Sequence, residues 1–145
     1  MDTDGEIKGF FGEYRWLSNF WPVDILYKDI LFPSTEHAYV YEKRATEWNP
    51  GALAYLLNQS SQGAKRIGRT IQLRGDFDTE KLDIMLTINR IKFQNKQLAQ
   101  KLIDTGDTYL EELNNWGDTF WGVSHNGVGL NNLGKILMKI RAEIR

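Results

Sequence analysis

The chain has 145 residues, a formal net charge of −1, 41% hydrophobic and 26% charged residues, and no cysteine. One domain of that length can bury its own core, while the missing cysteines exclude disulfides, thiolate chemistry and a thiolate zinc site, and two histidines are too few for a histidine-rich metal site. The near-neutral charge speaks against non-specific duplex binding, and no apolar run approaches the roughly 18–20 residues of a membrane span.

The acidic, polar start MDTDGEIKG is not a signal peptide, so the protein reads as cytoplasmic with no membrane partner. Ile7–Phe11 reads as a strand, and residues 15–22 as an aromatic, irregular stretch. Val23–Tyr27 and Ile30–Phe32 flank Lys28-Asp29 as a hairpin. Pro33-Ser34 signals a helix start, with Ser34 as N-cap and the helix running through Ala45. A shorter helix carries Pro50 in its first turn. Ala64–Ile67 suggests a short helical turn. Asp78 or Thr79 caps a middle helix with Leu82, Met85, Leu86, Asn89 and Phe93 at helical spacing. Gln97–Ile103 reads as a helix and Tyr109–Leu113 as a strand. In the last helix Leu133, Ile136, Leu137, Ile140 and Ile144 form a core stripe, with Lys135, Lys139 and Arg141 off it. Strands do not alternate regularly with helices. The expected fold is therefore α+β: a small, mostly antiparallel sheet surrounded by several helices in a single domain, 1–145.

Four stretches could carry chemistry. Glu36 and Lys43 lie seven apart, two turns along one helical face, with His37 beside the carboxylate. A carboxylate can move a proton or steady a cationic sugar, and an amine can bind phosphate or attack carbon. The bland alternative is a solvated ion pair. In Leu17-Ser18-Asn19-Phe20, the polar Ser18 and Asn19 suit a base edge or a ribose hydroxyl, or else a turn closed on its own backbone. Lys65 and Arg69, four apart, suit a phosphate as well as they suit an ordinary helix surface. The segment from Asn114 to Gly122, with Trp116, Asp118 and Trp121, follows neither helical nor strand periodicity. Its indoles suit stacking on a base, Asp118 the orientation of a ribose or a water, and Asn131 either a helix cap or a ligand contact. His125 sits in a polar loop and reads as exposed and unimportant.

Taken in order, these stretches resemble the NADAR family of YbiA-like proteins. The matching residues are Leu17-Ser18-Asn19-Phe20, Ser34-x-Glu36-His37-x-Tyr39 with Lys43, Lys65-x-x-Gly68-Arg69, Met85, Lys92-Phe93-Gln94-Asn95 and Thr105-Gly106. They continue with Trp116-Gly117-Asp118-x-x-Trp121-Gly122 and with Gly129-x-Asn131-x-Leu133-Gly134-x-x-Leu137-Met138-x-x-Arg141. The likeness runs from about Phe11 to Arg141 and departs at Phe77, where relatives often carry tryptophan.

The resemblance implies an N-glycosidase breaking a ribose C1′–N bond. The substrate would be a ribosylamino-pyrimidine phosphate of riboflavin synthesis, or ADP-ribose on guanine in nucleic acid. It makes Glu36 the essential carboxylate and Lys43 the lysine that forms an imine with the sugar. Asp118 joins them, and Trp121 and Asn131 line the pocket with Ser18, Asn19, His37, Lys65, Arg69 and Trp116. Neither a metal nor another cofactor is expected. Either Glu36 activates water with Lys43 binding charge, or Glu36 opens the ring and Lys43 attacks C1′. The second route needs an unprotonated Lys43, hence burial or a neighbouring cation such as Arg44 or Lys65. A non-catalytic ADP-ribose or nucleotide-binding module would use the same tryptophans with Lys65 and Arg69 but not the Glu36–Lys43 pair; a protein-interaction domain is a third reading.

Overall fold

A computed structural model describes residues 5–145, so the first four residues of the acidic start lie outside the described residues. The chain divides into two units. One holds residues up to Ser18 with Phe93–Arg145, the other Asn19–Lys92.

In the first unit, β1 (Glu6–Lys8) precedes a 3-10 helix (Gly12–Leu17). The Asn19–Lys92 unit opens with a hairpin, β2 (Ile25–Tyr27) and β3 (Ile30–Phe32), paired antiparallel. Lys28 and Asp29 both take positive φ, 51° and 64°, the backbone of a two-residue hairpin turn that matches strand twist. Ile25 and Phe32 face inward, while Leu26 and Leu31 stay exposed on the other face.

Next comes α1 (Thr35–Lys43), where the Ser34 hydroxyl accepts from the His37 N–H as the expected N-cap. It stops at Lys43 rather than Ala45, because Arg44 turns extended and bridges to Leu73. Asn49 caps α2 (Pro50–Leu57) with Pro50 in the first turn. Ser60 caps α3 (Ser61–Thr70), which is ten residues long, not the short turn expected at Ala64–Ile67. Gly63 and Gly68 are both buried positions in that regular helix. The fourth helix, α4 (Phe77–Lys92), buries Phe77, Ile84, Met85, Ile88, Asn89 and Lys92, and leaves Leu82 exposed. Helix α1 packs on both α3 and α4, and Val40, Leu56 and Ala64 form one knot of that core.

Back in the first unit, α5 (Lys96–Asp104) leads to β4 (Tyr109–Glu111), then a long loop, then α6 (Asn132–Ile144). Strand β4 pairs with β1 in parallel. The described strands thus form two two-stranded sheets, one antiparallel and one parallel. The expected mixed helix-and-strand fold stands, but the single, mostly antiparallel sheet does not. A parallel partner about a hundred residues away leaves no local mark in the chain.

On α6, Leu133, Ile136, Leu137 and Ile140 are buried as the stripe requires. Arg141 departs from expectation: it is buried too, donating to Thr105 Oγ1 at 2.9 Å and the Thr108 carbonyl at 2.8 Å. No helix among the described residues is long and apolar enough to cross a membrane.

Candidate active site

The Asn19–Lys92 unit carries the charged part of the predicted site. Glu36, only 7% exposed, sits in the first turn of α1, where the helix dipole favours a carboxylate. Its backbone N–H donates to the Asn19 carbonyl at 3.1 Å. Asn19 is itself held from α4: its amide approaches Met85 Sδ at 3.5 Å, and Asn89 Nδ2 donates to Asn19 Oδ1 at 3.4 Å. The entry of α1 is thereby tied to the middle of α4 by Asn19. Ser18 lies at the end of the 3-10 helix, its N–H on the Arg15 carbonyl.

His37 is buried and both ring nitrogens are engaged. The Gln59 carbonyl at 2.8 Å can only accept, so Nε2 carries the proton and Nδ1 accepts from the Ser34 hydroxyl at 2.6 Å. Burial pushes its pKa below 6.5, against the opposing Gln59 bond. The ring is a neutral brace between α1 and the α2–α3 connection.

Lys43, at the other end of α1, is half-buried, its Nζ 5.2 Å from the Tyr39 ring centroid. Gly68 of α3 leaves the room it occupies: a Cβ there would lie 3.4 Å from Lys43 Nζ and 3.0 Å from Val40 Cγ2. Burial lowers the Lys43 pKa most. Glu36 opposes that shift, and Lys65, Arg69 and Lys81 reinforce it. The seven-residue spacing thus joins a buried carboxylate and a depressed amine in one electrostatic neighbourhood. Lys65, half-buried, lies 5.7 Å from the Phe20 ring, and Arg69 is exposed. Arg44, a candidate for depressing Lys43, instead stacks on Trp48 at 4.7 Å. The sequence reading missed Lys81, Asn89 and Lys92. Their signal was placement on the α4 face that carries Phe77, Ile84, Met85 and Ile88, since polar residues on an apolar stripe call for an explanation.

The aromatic loop belongs to the other unit. Trp116 is exposed, and Trp121 is half-buried, edge-on to Phe120 at 4.8 Å. Asp118 Oδ1 accepts from the Phe120 and Trp121 N–H groups at 3.0 and 2.9 Å. Asn114 clamps the same turn by accepting from the Asp118 N–H and donating to its carbonyl. Asn131 is buried at φ 53°, at the cap position of α6 but with no cap bond. Its Oδ1 accepts from the Glu112 N–H at 3.0 Å. Its Nδ2 donates to the Leu110 carbonyl at 2.9 Å and to Tyr109 Oη at 3.1 Å. Gly134 lets α6 start this close, since a Cβ there would lie 2.2 Å from the Leu110 carbonyl. An open cleft of about 360 Å³ is lined by Thr119, Phe120, Val128, Gly129 and Leu130. His125 is exposed, as expected.

The model of the NADAR domain matches residues 9–145. An N-glycosidase of Nostoc punctiforme is 37% identical over 91% of this chain and 86% of its own. The N-glycosidase YbiA of Escherichia coli is 30% identical over 91% of this chain and 82% of its own. A riboflavin biosynthesis protein of Vibrio vulnificus is 36% identical over 91% of this chain, which spans only 36% of that longer protein. The NMR structure of Escherichia coli YbiA superposes with a TM-score of 0.84 at 27% identity, covering 99% of this chain and 87% of that one. N-glycosidase is the activity named for these full-length relatives, in agreement with the hydrolysis of an N-glycosyl bond that the motifs imply. With the domain model matched across both units, this chain belongs to the NADAR domain family.

Proposed function

We propose that this chain is an N-glycosidase that hydrolyses the C1′–N bond of a phosphorylated ribosyl-base, with a ribosylamino-pyrimidine phosphate as its substrate. The observation that carries the reading is the pairing, on one face of α1, of a buried carboxylate with an amine whose proton affinity is reduced. The related riboflavin biosynthesis proteins of Vibrio vulnificus and Zea mays support the choice of base.

The order of events in this reading follows the imine route that the family resemblance implies. Glu36 passes a proton that opens the ribosylamine ring, leaving C1′ as a carbon–nitrogen double bond. The unprotonated Lys43 amine adds to C1′, and the original C1′–N bond breaks as the departing amine takes the proton that Glu36 relays. Water then hydrolyses the Lys43 imine, releasing the sugar phosphate and restoring the amine. Lys65 and Arg69 hold the phosphate. Trp116 and Trp121, on the loop of the other unit, are kept as candidates for stacking on a base. Asp118 and Asn131 act through the loop they hold, and Asn19 and His37 through the placement of α1, while Ser18 is kept as a candidate for substrate binding. The chain acts in the cytoplasm as a single domain.

ADP-ribose on guanine is the second reading, and the exposed Trp116 supports it by offering a face for a second base. The deciding experiment is mass spectrometry of products from wild type and Glu36→Gln, using a ribosylamino-pyrimidine phosphate and an oligonucleotide carrying ADP-ribosyl-guanine. Glu36-dependent release of the pyrimidine supports the primary reading. Release from the oligonucleotide alone replaces it with the second. Release from neither, with the fold intact, leaves a nucleotide-binding module.

A further inference from the structure

Lys81 lies on α4, four residues after Phe77 and four before Met85, so the three share one helical face. Both neighbours on that face are engaged with the α1 side. The Phe77 ring packs 5.4 Å from the Tyr39 ring of α1. Met85 receives the amide of Asn19, whose carbonyl holds the Glu36 N–H. Lys81 falls between these two contacts, alongside the stretch of α1 from Glu36 to Lys43. Its side chain is only 22% exposed, although Glu80, Leu82 and Asp83 around it face solvent. One of its ion pairs is with Asp78 at 3.2 Å, a carboxylate itself 80% exposed.

Helix α3, which also packs on α1, carries Lys65 and Arg69. The Lys43 amine feels all three of these cations and Glu36. Cations that act together on one amine favour the loss of its proton, and Lys43 gives it up more readily for that reason. An anion bound among them would offset their charge.

We propose that Lys81 is a substrate-contacting residue that closes, with Lys65 and Arg69, a cationic collar around Lys43 and takes the phosphate of the sugar substrate. The identity of that substrate rests on the N-glycosidase reading; the collar rests on the packing of α1 against α3 and α4. A phosphate dianion carries two negative charges and several acceptor lone pairs, and a lysine from a second helix adds a charge and a donor that Lys65 and Arg69 on α3 do not supply from theirs. Contact from two helices also fixes where C1′ falls relative to Lys43, which a phosphate gripped from one side would not.

The test is calorimetric titration of wild type, Lys81→Met and Lys81→Arg with ribose 5-phosphate and with ribose. Turnover of a ribosylamino-pyrimidine phosphate is measured in parallel. Methionine keeps the buried stem and deletes the charge. Lys81→Met should weaken ribose 5-phosphate binding about tenfold, the loss of one charge-assisted contact. Ribose binding should stay within about twofold, and Lys81→Arg should recover most of the phosphate affinity. Equal loss for both sugars, no loss for either, or no binding of ribose 5-phosphate to wild type overturns the assignment. Turnover that persists under any of those outcomes leaves the N-glycosidase reading standing while Lys81 falls. Phosphate-selective binding without turnover keeps Lys81 in an anion site and removes the enzyme.

Discussion

The α1 face of the Asn19–Lys92 unit and the loop from Trp116 to Asn131 both hold polar residues that the sequence marks as candidates. Their polar groups are used in opposite ways. In the loop, Asp118 spends an oxygen on two backbone N–H groups, and Asn131 spends both ends of its amide on Glu112, Leu110 and Tyr109. On α1, Glu36 is drawn in from water, and Lys43 is half-buried, its pKa lowered by burial first and by cations on α3 and α4, against the pull of Glu36. Polar groups that satisfy the backbone stabilise a shape. Charged groups withdrawn from water and set against each other hold electrostatic free energy that a reaction can use. Both arrangements look alike in a sequence, where each is a polar residue in an aromatic or apolar setting.

The sharpest way to break this comparison is Glu36→Gln. If α1 carries the chemistry, kcat should fall about 10²–10³-fold. The neutral amide is nearly isosteric, so substrate affinity should stay within a few-fold and the melting temperature should barely move. Steady-state kinetics with a thermal melt on the same sample decides it. Unchanged kcat would remove Glu36 from the mechanism and collapse the contrast.

Asn131→Ala probes the other side. It leaves the Glu112 N–H and the Leu110 carbonyl without partners in a buried place, and puts a Cβ with no compensating bond at φ 53°. Together these should cost about 3 kcal/mol of folding stability. Urea unfolding reads the loss, and kcat of the folded fraction should stay within a few-fold. Asn131→Gly should recover the backbone part alone, about 1 kcal/mol. A stable Asn131→Ala protein with a collapsed kcat would make Asn131 a ligand contact instead.

Local signals were the legible part of this molecule. Ser34, Pro50 and the Lys28-Asp29 turn act within a few residues of themselves, and the structure has the cap, the helix start and the hairpin where they point. Failures came where distant partners decide. The helix expected only as a short turn at Ala64–Ile67 runs ten residues, and its Gly68 fits where that helix is pressed against Val40 and Lys43. The parallel pairing of β1 with β4 depends on chain far away in sequence. Arg141 and Lys92 were hidden because a charged residue on a helix is assumed to face water unless its partner is known. For the candidate site, spacing alone left Glu36 and Lys43 as readily a solvated ion pair, and the family resemblance singled them out, while the bonds that occupy Asp118, Asn131 and His37 have no sequence signature.

A pH experiment sharpens the account of Lys43. Its pKa is lowered from 10.5 by burial first, with Lys65, Arg69 and Lys81 adding to that and Glu36 opposing. If the neutral amine attacks, kcat should rise with pH through this lowered value. Arg69→Gln removes a cation, so the Lys43 pKa should rise and the limb should move to higher pH. In Glu36→Gln the residual activity should move to lower pH, because the opposing charge is gone. Folding stability follows the same proton: between the folded value and 10.5 the unfolded chain binds more protons, so stability should climb with pH there and level off below. A limb unmoved by both substitutions would separate Lys43 from the titration.

Gly68→Ala gives the smallest effect and the finest discrimination. Alanine favours a helix interior over glycine by about 0.5–1 kcal/mol. Against that, the new Cβ would stand 3.0 Å from Val40 Cγ2, a stiff β-branched side chain at the core, and 3.4 Å from Lys43 Nζ. The two contributions nearly cancel, so stability should change by no more than about 1 kcal/mol. Lys43 is the softer of the two neighbours, with a flexible stem, and it should yield. Its amine would then be pushed away from Gly68 by a few tenths of an ångström, and kcat should fall several-fold with no matching change in melting temperature. A variant that loses stability and activity in proportion would make Gly68 a packing residue alone. A drop in kcat without loss of stability would tie the glycine of α3 to the placement of the Lys43 amine, which sequence spacing alone links only to Glu36.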